Sequence, residues 1–581
     1  MSIAHVRAVI SILANSDQVG SDISQAPEVG SADATRPEAL VRRAPMGILW
    51  NQLYQIWFFG ASFLLTEVVT HGLSPEAYGV YSYALTAFTT ISYLAAFGLE
   101  EAATIWVPRA LTEDGRSQAS SVIRRLIAVR FLFILATCAL MLFLFPVLPG
   151  WLGQLSVPGA AGLASALGKP ALQAHLISLA FYVGGSSFVS LLFAIFVSML
   201  RTRVIFVISG CSQVANLALA GMFLKLGWGV DGTIWALGII SWLTAVAYLI
   251  WLSPLLLVRR PRQAISLLPA LRLSVAAWLT NLAGGALFKQ AVVFLLGSYA
   301  IATAQIGFFN LAFQLGHSAG LLLVAGLSSV GMATMTAAYT GQNRAWLSAS
   351  WRAVLKVQIL LAVPLLLFSL LNAQAIVDVL FPKGYGDVGP LLQLFLAFNI
   401  LTRVSGGGIH QAALYVLGKQ GYVVVVQWAS LGLTILLGIL LIPQTGPLGA
   451  LIATGVPPVL VELAQLAYLL PSITRRYPLH FVLRYAAALI APIIAGVLVH
   501  PTDWLKTFVT GSLLNWLGLI VAGLLFALLL IGALLLVKPL EEEDAAMLGQ
   551  TNSWMRTVLK PLVRKSALAA VDVSSSSGTP L

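Results

Sequence analysis

Fourteen long apolar segments, separated by mostly short polar connections, run through this chain of 581 residues. They lie at about 47–69, 78–104, 126–148, 172–198, 204–226, 232–257, 273–298, 306–336, 355–380, 388–416, 421–442, 447–470, 484–500 and 512–537. Each is about long enough to cross roughly 30 Å of hydrocarbon as a helix rising about 1.5 Å per residue. Hydrocarbon offers no water to exposed backbone groups, so it admits only helices and closed barrels. Segments of this length select helices. Charged residues make up 9% of the chain, against about 25% in soluble domains. The sequence therefore predicts an all-α polytopic membrane protein with 14 transmembrane helices.

The net charge of +12 would suggest a nucleic-acid partner if it formed one solvated patch. Instead the basic residues punctuate the segments. The even-numbered connections and both tails hold 26 of the 33 Lys and Arg, the odd-numbered connections hold four, and Arg130, Lys289 and Arg403 lie inside segments. The positive-inside rule then puts both termini in the cytoplasm of a multi-pass cell-membrane (inner-membrane) protein, with the lipid bilayer rather than nucleic acid as its partner. Residues 1–45 read as a disordered cytoplasmic tail, in which the apolar run from Val6 to Ala14 is too short for a signal peptide. Cys138 and Cys211 both fall in apolar segments and give neither a disulfide framework nor a metal cluster. No P-loop, HExxH or nucleophile triad is present, so the reading is a transporter rather than an enzyme, without cofactor or metal.

The two halves repeat. Trp50 and Trp278, Gly79 and Gly307, Ala84 and Ala312, Gly98-Leu99 and Gly326-Leu327, and Arg124 and Arg352 are all 228 residues apart. Further on, Gly229-x-x-Gly232 and Gly446-x-x-Gly449 are 217 apart. The change of offset matches the longer loop after segment three. A repeat of six spans keeps its orientation, so two six-helix lobes should be related by a pseudo-twofold along the membrane normal. The expected divisions are an N-lobe at 46–258, a cytoplasmic linker at 259–272, a C-lobe at 273–471, two added helices within 472–538, and a cytoplasmic tail at 539–581. In that tail Trp554, Val558 and Leu562 stand at helical spacing among Arg556, Lys560, Arg564 and Lys565. A solvated tail and one lying on the anionic inner leaflet are both open readings.

Polar groups inside apolar segments mark the candidate site, because an ammonium at the bilayer centre costs about 3 kcal/mol even on insertion scales. Lys289 lies well inside segment seven and is followed by Gln290; Asn281, Gly285 and Lys289 share a helical face by their i, i+4, i+8 spacing. The competing reading is a lysine snorkelling to an interface. Arg403 sits near the middle of segment ten, with Asn399, Gly407 and His410 on the same helical face and the run Ser405-Gly406-Gly407-Gly408 beside it. Three glycines weaken the helix and permit an irregular turn, tolerable only beside a cavity. The alternative is an arginine paired for structure with Glu462 or Asp378. Asn310, Gln314 and His317 form a polar stripe on segment eight, and Asn51, Gln52 and Gln55 cluster near one end of segment one. Such amides serve sugar hydroxyls or interhelical hydrogen bonds, and spacing does not separate the two. Among acids, Glu462 is the first candidate for ion coupling or charge pairing, with Glu67 and Arg130 as further members; Glu67, Glu100 and Glu101 also read as interfacial. Coupling to H+, Na+ or the membrane potential stays open.

The run Leu73-Ser74-Pro75-Glu76-Ala77-Tyr78-Gly79-Val80-Tyr81, with Phe97-Gly98-Leu99 and an Arg-rich turn behind it, resembles the start of polysaccharide flippases of the O-antigen (Wzx) type. Leu380-Phe381-Pro382-Lys383-Gly384-Tyr385 and Gly446-Pro447-Leu448-Gly449-Ala450 resemble two later motifs of that family. The family belongs to the multidrug/oligosaccharidyl-lipid/polysaccharide (MOP) exporter superfamily, and the likeness covers about 45–500. It implies two six-helix lobes working by alternating access on a polyprenyl-diphosphate-linked oligosaccharide. It also implies a place in cell-surface polysaccharide biosynthesis, beside a polymerase or glycosyltransferases. Lys289 and Arg403 would then hold diphosphate or acidic sugar. The alternatives are an ion-coupled multidrug-type exporter, a lipid II-type flippase, and a non-transporting scaffold, which gains nothing from intramembrane charge.

Overall fold

The computed structural model describes residues 37–94, 96–113, 115–154, 164, 167–199, 201–258, 275, 278–279, 282–283, 287–322, 335, 344–473, 477–499, 501–507, 512–541 and 560–564. The chain is helical almost throughout these residues, as the apolar segments require. The principal helices are α1 (Pro37–Gly72), α2 (Pro75–Leu94), α3 (Leu99–Glu113), α4 (Gly115–Ala139), α5 (Leu176–Ser198), α6 (Thr202–Lys225) and α7 (Gly229–Leu256). They continue as α8 (Phe288–Ser298), α9 (Thr303–Leu322), α10 (Arg344–Leu371), α11 (Ala373–Leu380), α12 (Val388–Ser405), α13 (Ile409–Val416), α14 (Gln420–Thr445), α15 (Pro447–Leu469), α16 (Leu479–Leu498) and α17 (Ser512–Val537). Among the described residues ten helices are long and apolar enough to cross a membrane, or eleven if the bent pair α2–α3 is one span. The first, seventh and eighth expected segments fall outside that number; they coincide with α1, α8 and α9, and much of segment seven lies outside the described residues.

Three expected segments are interrupted, each where the backbone demands it. Segment two bends by 54° between α2 and α3, where Phe97 and Gly98 take left-handed backbone angles (φ 46° and 71°). Segment nine starts earlier than hydropathy suggested and divides at Asn372 into α10 and α11. Segment ten divides at Gly406–Gly408. There Gly407 and Gly408 have φ of 55° and 90°, values open to glycine without a Cβ penalty.

Helices α1, α6 and α7 pack side by side, and α5 packs on α3, α4 and α7. Farther along, α12 packs against α9, α10 and α15, and α14 pairs with α15 and α8. Helices α16 and α17 pair with each other and rest on α10 and α11. The two halves of the chain meet most closely where α2 crosses α9. Gly79 and Gly307 make that crossing possible: a Cβ at Gly79 would collide with the Thr303 carbonyl, and one at Gly307 would stand 3.0 Å from the Gly79 Cα. Small residues permit such close backbone approach in membrane bundles. The same two glycines are 228 residues apart in the repeat.

Two of the resemblance-bearing motifs also meet. Ser74 Oγ accepts from the Ala77 N–H at 3.3 Å, and Pro75 occupies the first helical position of α2, a usual pairing of cap and proline. The Tyr385 hydroxyl donates to the Leu73 carbonyl at 3.1 Å. Its ring lies edge-on to Tyr78 at 6.1 Å. At this same end Lys169 stands over the Tyr83 ring at 5.2 Å and donates to the Ile301 carbonyl at 3.5 Å. The four connections carrying Leu73, Lys169, Ile301 and Tyr385 are thus tied to one another in pairs at the end where α2 meets α9.

At the opposite end the tail returns to the helices. Leu540–Glu541 forms a short parallel pairing with Val563–Arg564. Glu541 reaches Lys356 at 2.9 Å and Arg352 at 3.6 Å on α10. The helical spacing expected through Leu562 thus stops there, because the following residues are extended and paired; Trp554, Arg556 and Val558 lie outside the described residues.

Candidate functional site

Two cavities adjoin near the middle of the bundle. The first, of about 310 Å³, lies between the halves of the chain. Ser62 and Thr66 of α1, Tyr78, Tyr81, Ser82 and Thr86 of α2, Gln213 and Asn216 of α6, Lys289 of α8, and Asn310 and Gln314 of α9 all line it. The polar stripe on segment eight therefore faces Lys289, as the helical spacing of Asn310 and Gln314 requires. Gln314 Nε2 donates to Thr66 Oγ1 at 2.8 Å, and Thr66 spends its own proton on the Ser62 carbonyl at 3.0 Å. Among the described residues the Lys289 ammonium has one partner, the face of Phe313 at 5.5 Å. No acid neutralises it there.

The second cavity, of about 320 Å³, lies among α8, α9, α12, α14 and α15, and the α12–α13 turn closes one side. His317, Asn399, Arg403, Gln411, Gln427 and Glu462 supply its polar groups, and Phe288, Phe313, Phe395 and Phe398 its aromatic ones. The glycine turn shapes it: Gly408 N–H donates to Glu462 Oε1 at 2.7 Å. Gln358 donates to the Gly407 carbonyl at 3.1 Å. Arg403 Nη1 donates to that same carbonyl at 3.3 Å. Glu462 acts on Arg403 electrostatically, yet the two form no salt bridge, and Glu462 Oε2 is buried without a partner. Asp378 takes a hydrogen bond from Gln374 at 2.9 Å instead. The arginine is thus not consumed by either of the acids expected to pair with it.

Phe313 is the partition between the cavities. Lys289 lies over its ring, and His317 stacks on it at 5.8 Å. His317 stands near enough to Arg403 and Lys289 to feel both charges. Lys289 and Arg403 thus flank one aromatic–imidazole stack from different chambers.

A third cavity, of about 380 Å³, lies wholly within the first half of the chain save for Trp278 and Leu282. Arg130 is its centre and is 2% exposed. Its Nη2 donates to Glu100 Oε1 at 2.5 Å and Ser190 Oγ at 2.8 Å, and its Nε to the Ser187 carbonyl at 2.8 Å.

No family model and no curated protein matches the sequence. Solved structures match it by fold. The lipid II flippase MurJ, in an inward closed conformation, superposes with a TM-score of 0.59 at 12% identity, covering 82% of this chain and 97% of that one. An inward-facing multidrug resistance MATE family transporter of the MOP superfamily gives 0.54 at 16% identity, over 71% and 93% of the two chains. The chain shares the fold of these two proteins. Identities this low speak of the fold alone. The narrower Wzx-type resemblance is not reached by these matches.

Within this fold the sequence-predicted residues divide. Lys289, Asn310 and Gln314 share the first cavity, and Arg403, His317 and Glu462 share the second. His410 does not join Arg403. The three-glycine turn breaks the helical register, and the imidazole is fully buried, with Nδ1 accepting from Trp351 Nε1 at 3.0 Å and Nε2 donating to the Ser405 carbonyl at 2.7 Å. Gln290 is buried and lines neither chamber. Glu67 lines neither, and its backbone carbonyl takes the Thr70 hydroxyl at 3.0 Å. Arg130 pairs with Glu100 in the third cavity, which moves Glu100 from the interface into the helix bundle. Asn281, and the side chains of Asn51, Gln52 and Gln55, lie outside the described residues. Sequence reasoning passed over Gln213, Asn216, Gln411 and Gln427. Their signal was present, since an amide inside an apolar segment always needs an account, but isolated amides make no stripe.

Proposed function

We propose that this chain is a flippase of the cell (inner) membrane. It moves a polyprenyl-diphosphate-linked oligosaccharide from the cytoplasmic to the outer leaflet, and so serves cell-surface polysaccharide biosynthesis beside the polymerase and glycosyltransferases. In this reading the chain has fourteen spans: two six-helix lobes related along the membrane normal, with two helices added and both termini cytoplasmic. Alternating access then means opening the α2–α9 contact at the outer end while the cytoplasmic end closes.

One observation carries the reading: among the described residues, Lys289 and Arg403 are held without salt bridges in adjoining chambers. A cation costs several kcal/mol in such surroundings, and an anionic head group offsets that cost on arrival. Amides and hydroxyls beside the cations suit sugar, and carboxylate or phosphate suits Arg403 in particular because its planar fork matches two oxygens at once. Two cations without salt bridges among the described residues also disfavour a cationic drug.

The test is surface-glycan export in a strain lacking this chain, complemented with Lys289→Ala and Arg403→Ala. Both variants are expected to reach the membrane and to leave lipid-linked glycan on its cytoplasmic face. Normal export by both would end the reading. A lipid II-type substrate is the alternative closest in chemistry, and its own accumulation in the deletion strain identifies it. A second reading, an ion-coupled exporter, is favoured by one feature, the unpartnered Glu462 Oε2 in the Arg403 chamber. Drug resistance that is lost with Glu462→Gln would select that reading, and its H+, Na+ or voltage coupling would follow from the driving gradient.

A further inference from the structure

A cluster of cations at the end of the bundle where the tail returns has no part in the proposed function. Arg352 and Lys356 of α10 and Arg484 of α16 surround one acid, Glu541, which follows α17. Lys356 is fully buried. Its ammonium meets Glu541 Oε2 at 2.9 Å and stands over the Phe481 ring at 5.9 Å. Arg352 Nη2 lies 3.6 Å from that same oxygen, beyond hydrogen-bond distance. Three cations thus share one carboxylate, and a single oxygen of it serves two of them. The acid itself is about half-exposed. A buried ammonium needs an anion beside it, and here that anion is carried on a short strand of the tail rather than on a helix of the bundle. The strand Leu540–Glu541 pairs with Val563–Arg564, so Arg564 belongs to the tail and moves with it.

The position of the cluster decides which other anion suits it. Leu347–Leu371, Leu479–Leu498 and Leu513–Val537 are long and apolar enough to span a membrane. Arg352, Lys356 and Arg484 lie near the start of the first two, and Glu541 lies just beyond the end of the third. That is the level of phospholipid headgroups, where basic side chains at helix ends attract anionic lipid. Leu483, which precedes Arg484, and Leu479, one turn before it, are each 59% exposed. The approach to the cluster therefore runs along an apolar helix face. A soluble anion gains nothing from such a face, whereas a lipid lays its chains on it. A phosphate also fits the cations better than a carboxylate does, because its oxygens point several ways and can meet two guanidiniums and an ammonium together.

We infer that Arg352, Lys356 and Arg484 form a binding site for the phosphate of an anionic phospholipid of the cytoplasmic leaflet, and that Glu541 is an internal anion filling the site until such a lipid displaces it. The tail is then docked in a neutral bilayer and released in an anionic one. The exposure of Glu541 makes the exchange possible, since an incoming phosphate can approach the cations before the carboxylate has left. The flippase reading enters only through the cytoplasmic placement of this end.

The test places the full-length protein in nanodiscs of phosphatidylcholine, with or without phosphatidylglycerol. Both leaflets of a nanodisc are alike, so neither orientation nor transport enters the result. Amide exchange at Leu540 and Val563 reports the tail, and native mass spectrometry reports the phospholipid retained. Phosphatidylglycerol is expected to speed exchange at both amides tenfold or more in the wild type. Arg484→Gln should keep the protection seen in phosphatidylcholine and lose most of that acceleration. Glu541→Gln should retain at least threefold more phosphatidylglycerol than the wild type, and adding Arg352→Gln and Arg484→Gln to it should remove the gain. Equal exchange in the two bilayers overturns the inference, as does equal retention of lipid by the wild type and Glu541→Gln. Acceleration that persists undiminished in Arg484→Gln overturns it too, because the surface potential of the bilayer would then act on the tail without a site. If inorganic pyrophosphate added to phosphatidylcholine nanodiscs releases the tail as well as phosphatidylglycerol does, the cluster reads a soluble anion and the lipid assignment falls. None of these failures touches glycan export by the wild-type chain, on which the flippase reading is tested separately.

Discussion

Arg130 and Arg403 are both arginines inside membrane helices, and their surroundings are opposite. Arg130 is tightly held: one carboxylate, one hydroxyl and one backbone carbonyl within 2.8 Å lock three helices, α3, α4 and α5, to one guanidinium. Arg403 has a single carbonyl at 3.3 Å and an acid that is near but unpaired with it. The sequence marks them alike, as isolated cations in apolar segments. The difference teaches how to read such residues: an intramembrane charge bonded to several helices at once holds them together, and one with most of its donors left over is available to a ligand. By the same measure His410 goes with Arg130, and Lys289 goes with Arg403.

The largest effect should come from breaking the tightly held node. Arg130→Met leaves Glu100, which is partly buried, with the Ser190 hydroxyl as its remaining partner, and losing one partner of a buried pair costs up to about 3–5 kcal/mol. Thermal unfolding in detergent should drop accordingly, with little folded protein recovered. Replacing both partners, Arg130→Met with Glu100→Leu, should restore most of the stability, since a buried pair and its apolar substitutes are often equivalent. If the single variant unfolds at the wild-type temperature, the contrast between the two arginines is wrong at its root.

A smaller loss is expected at His410. Trp351→Phe removes the donor to Nδ1 and leaves the imidazole nitrogen unpaired, at about 1–3 kcal/mol. Export should survive at the wild-type rate in whatever protein remains folded. Impaired export at full stability would return His410 to the substrate path.

Arg403→Met should be smaller still in stability and larger in function. Exchanging a poorly satisfied buried cation for an apolar side chain of similar length is expected to change unfolding by less than about 1 kcal/mol in either direction. Glycan export should fall by tenfold or more, the loss of one or two charge-assisted hydrogen bonds at about 1.5–3 kcal/mol each. A marked loss of stability with export retained per folded molecule would make Arg403 a second structural node.

Much of this was legible along the chain. The apolar runs are long because every side chain of a lipid-facing helix must be apolar, so helix class and approximate limits follow directly. Asn310, Gln314 and Lys289 converge because i, i+4 spacing fixes a face whatever the tertiary packing. The Gly406–Gly408 break was visible as an accumulation of glycine, but its consequence was not: once the helix ends, spacing no longer says where His410 points. The Arg130–Glu100 pair was hidden for another reason. Its partners lie 30 residues apart on different helices, and hydropathy does not say which helices touch. The bend at Phe97–Gly98 aims Glu100 inward, and a left-handed angle at a phenylalanine has no signature in composition. Asn216 was missed because a single amide has no period.

A further buried cation sets the lower bound of the comparison. Lys356 on α10 is fully buried, and Glu541, about half-exposed, reaches it at 2.9 Å from beyond α17. Burial pushes the Glu541 carboxyl up, but Lys356, Arg352 and Arg484 outweigh it and hold the group below the usual carboxylate range. A carboxyl depressed in the folded state contributes stability above its unfolded pKa of about 4.3, and that contribution is lost as pH falls through the lower folded value. The tail contact should therefore be intact at neutral pH and released only in acid below about pH 4. Solvent screens so exposed an acid, so Glu541→Gln should cost no more than about 1 kcal/mol at pH 7. The variant and the wild type should converge in unfolding temperature as the pH is lowered through that range. Amide exchange at Leu540 and Val563, whose strands pair there, provides a local readout: protection should fall in the variant at pH 7 to the level the wild type reaches only in acid. Equal protection in both proteins at neutral pH would mean that the backbone pairing alone holds the tail, and that a tightly held charge at this edge of the bundle does less than one at its centre.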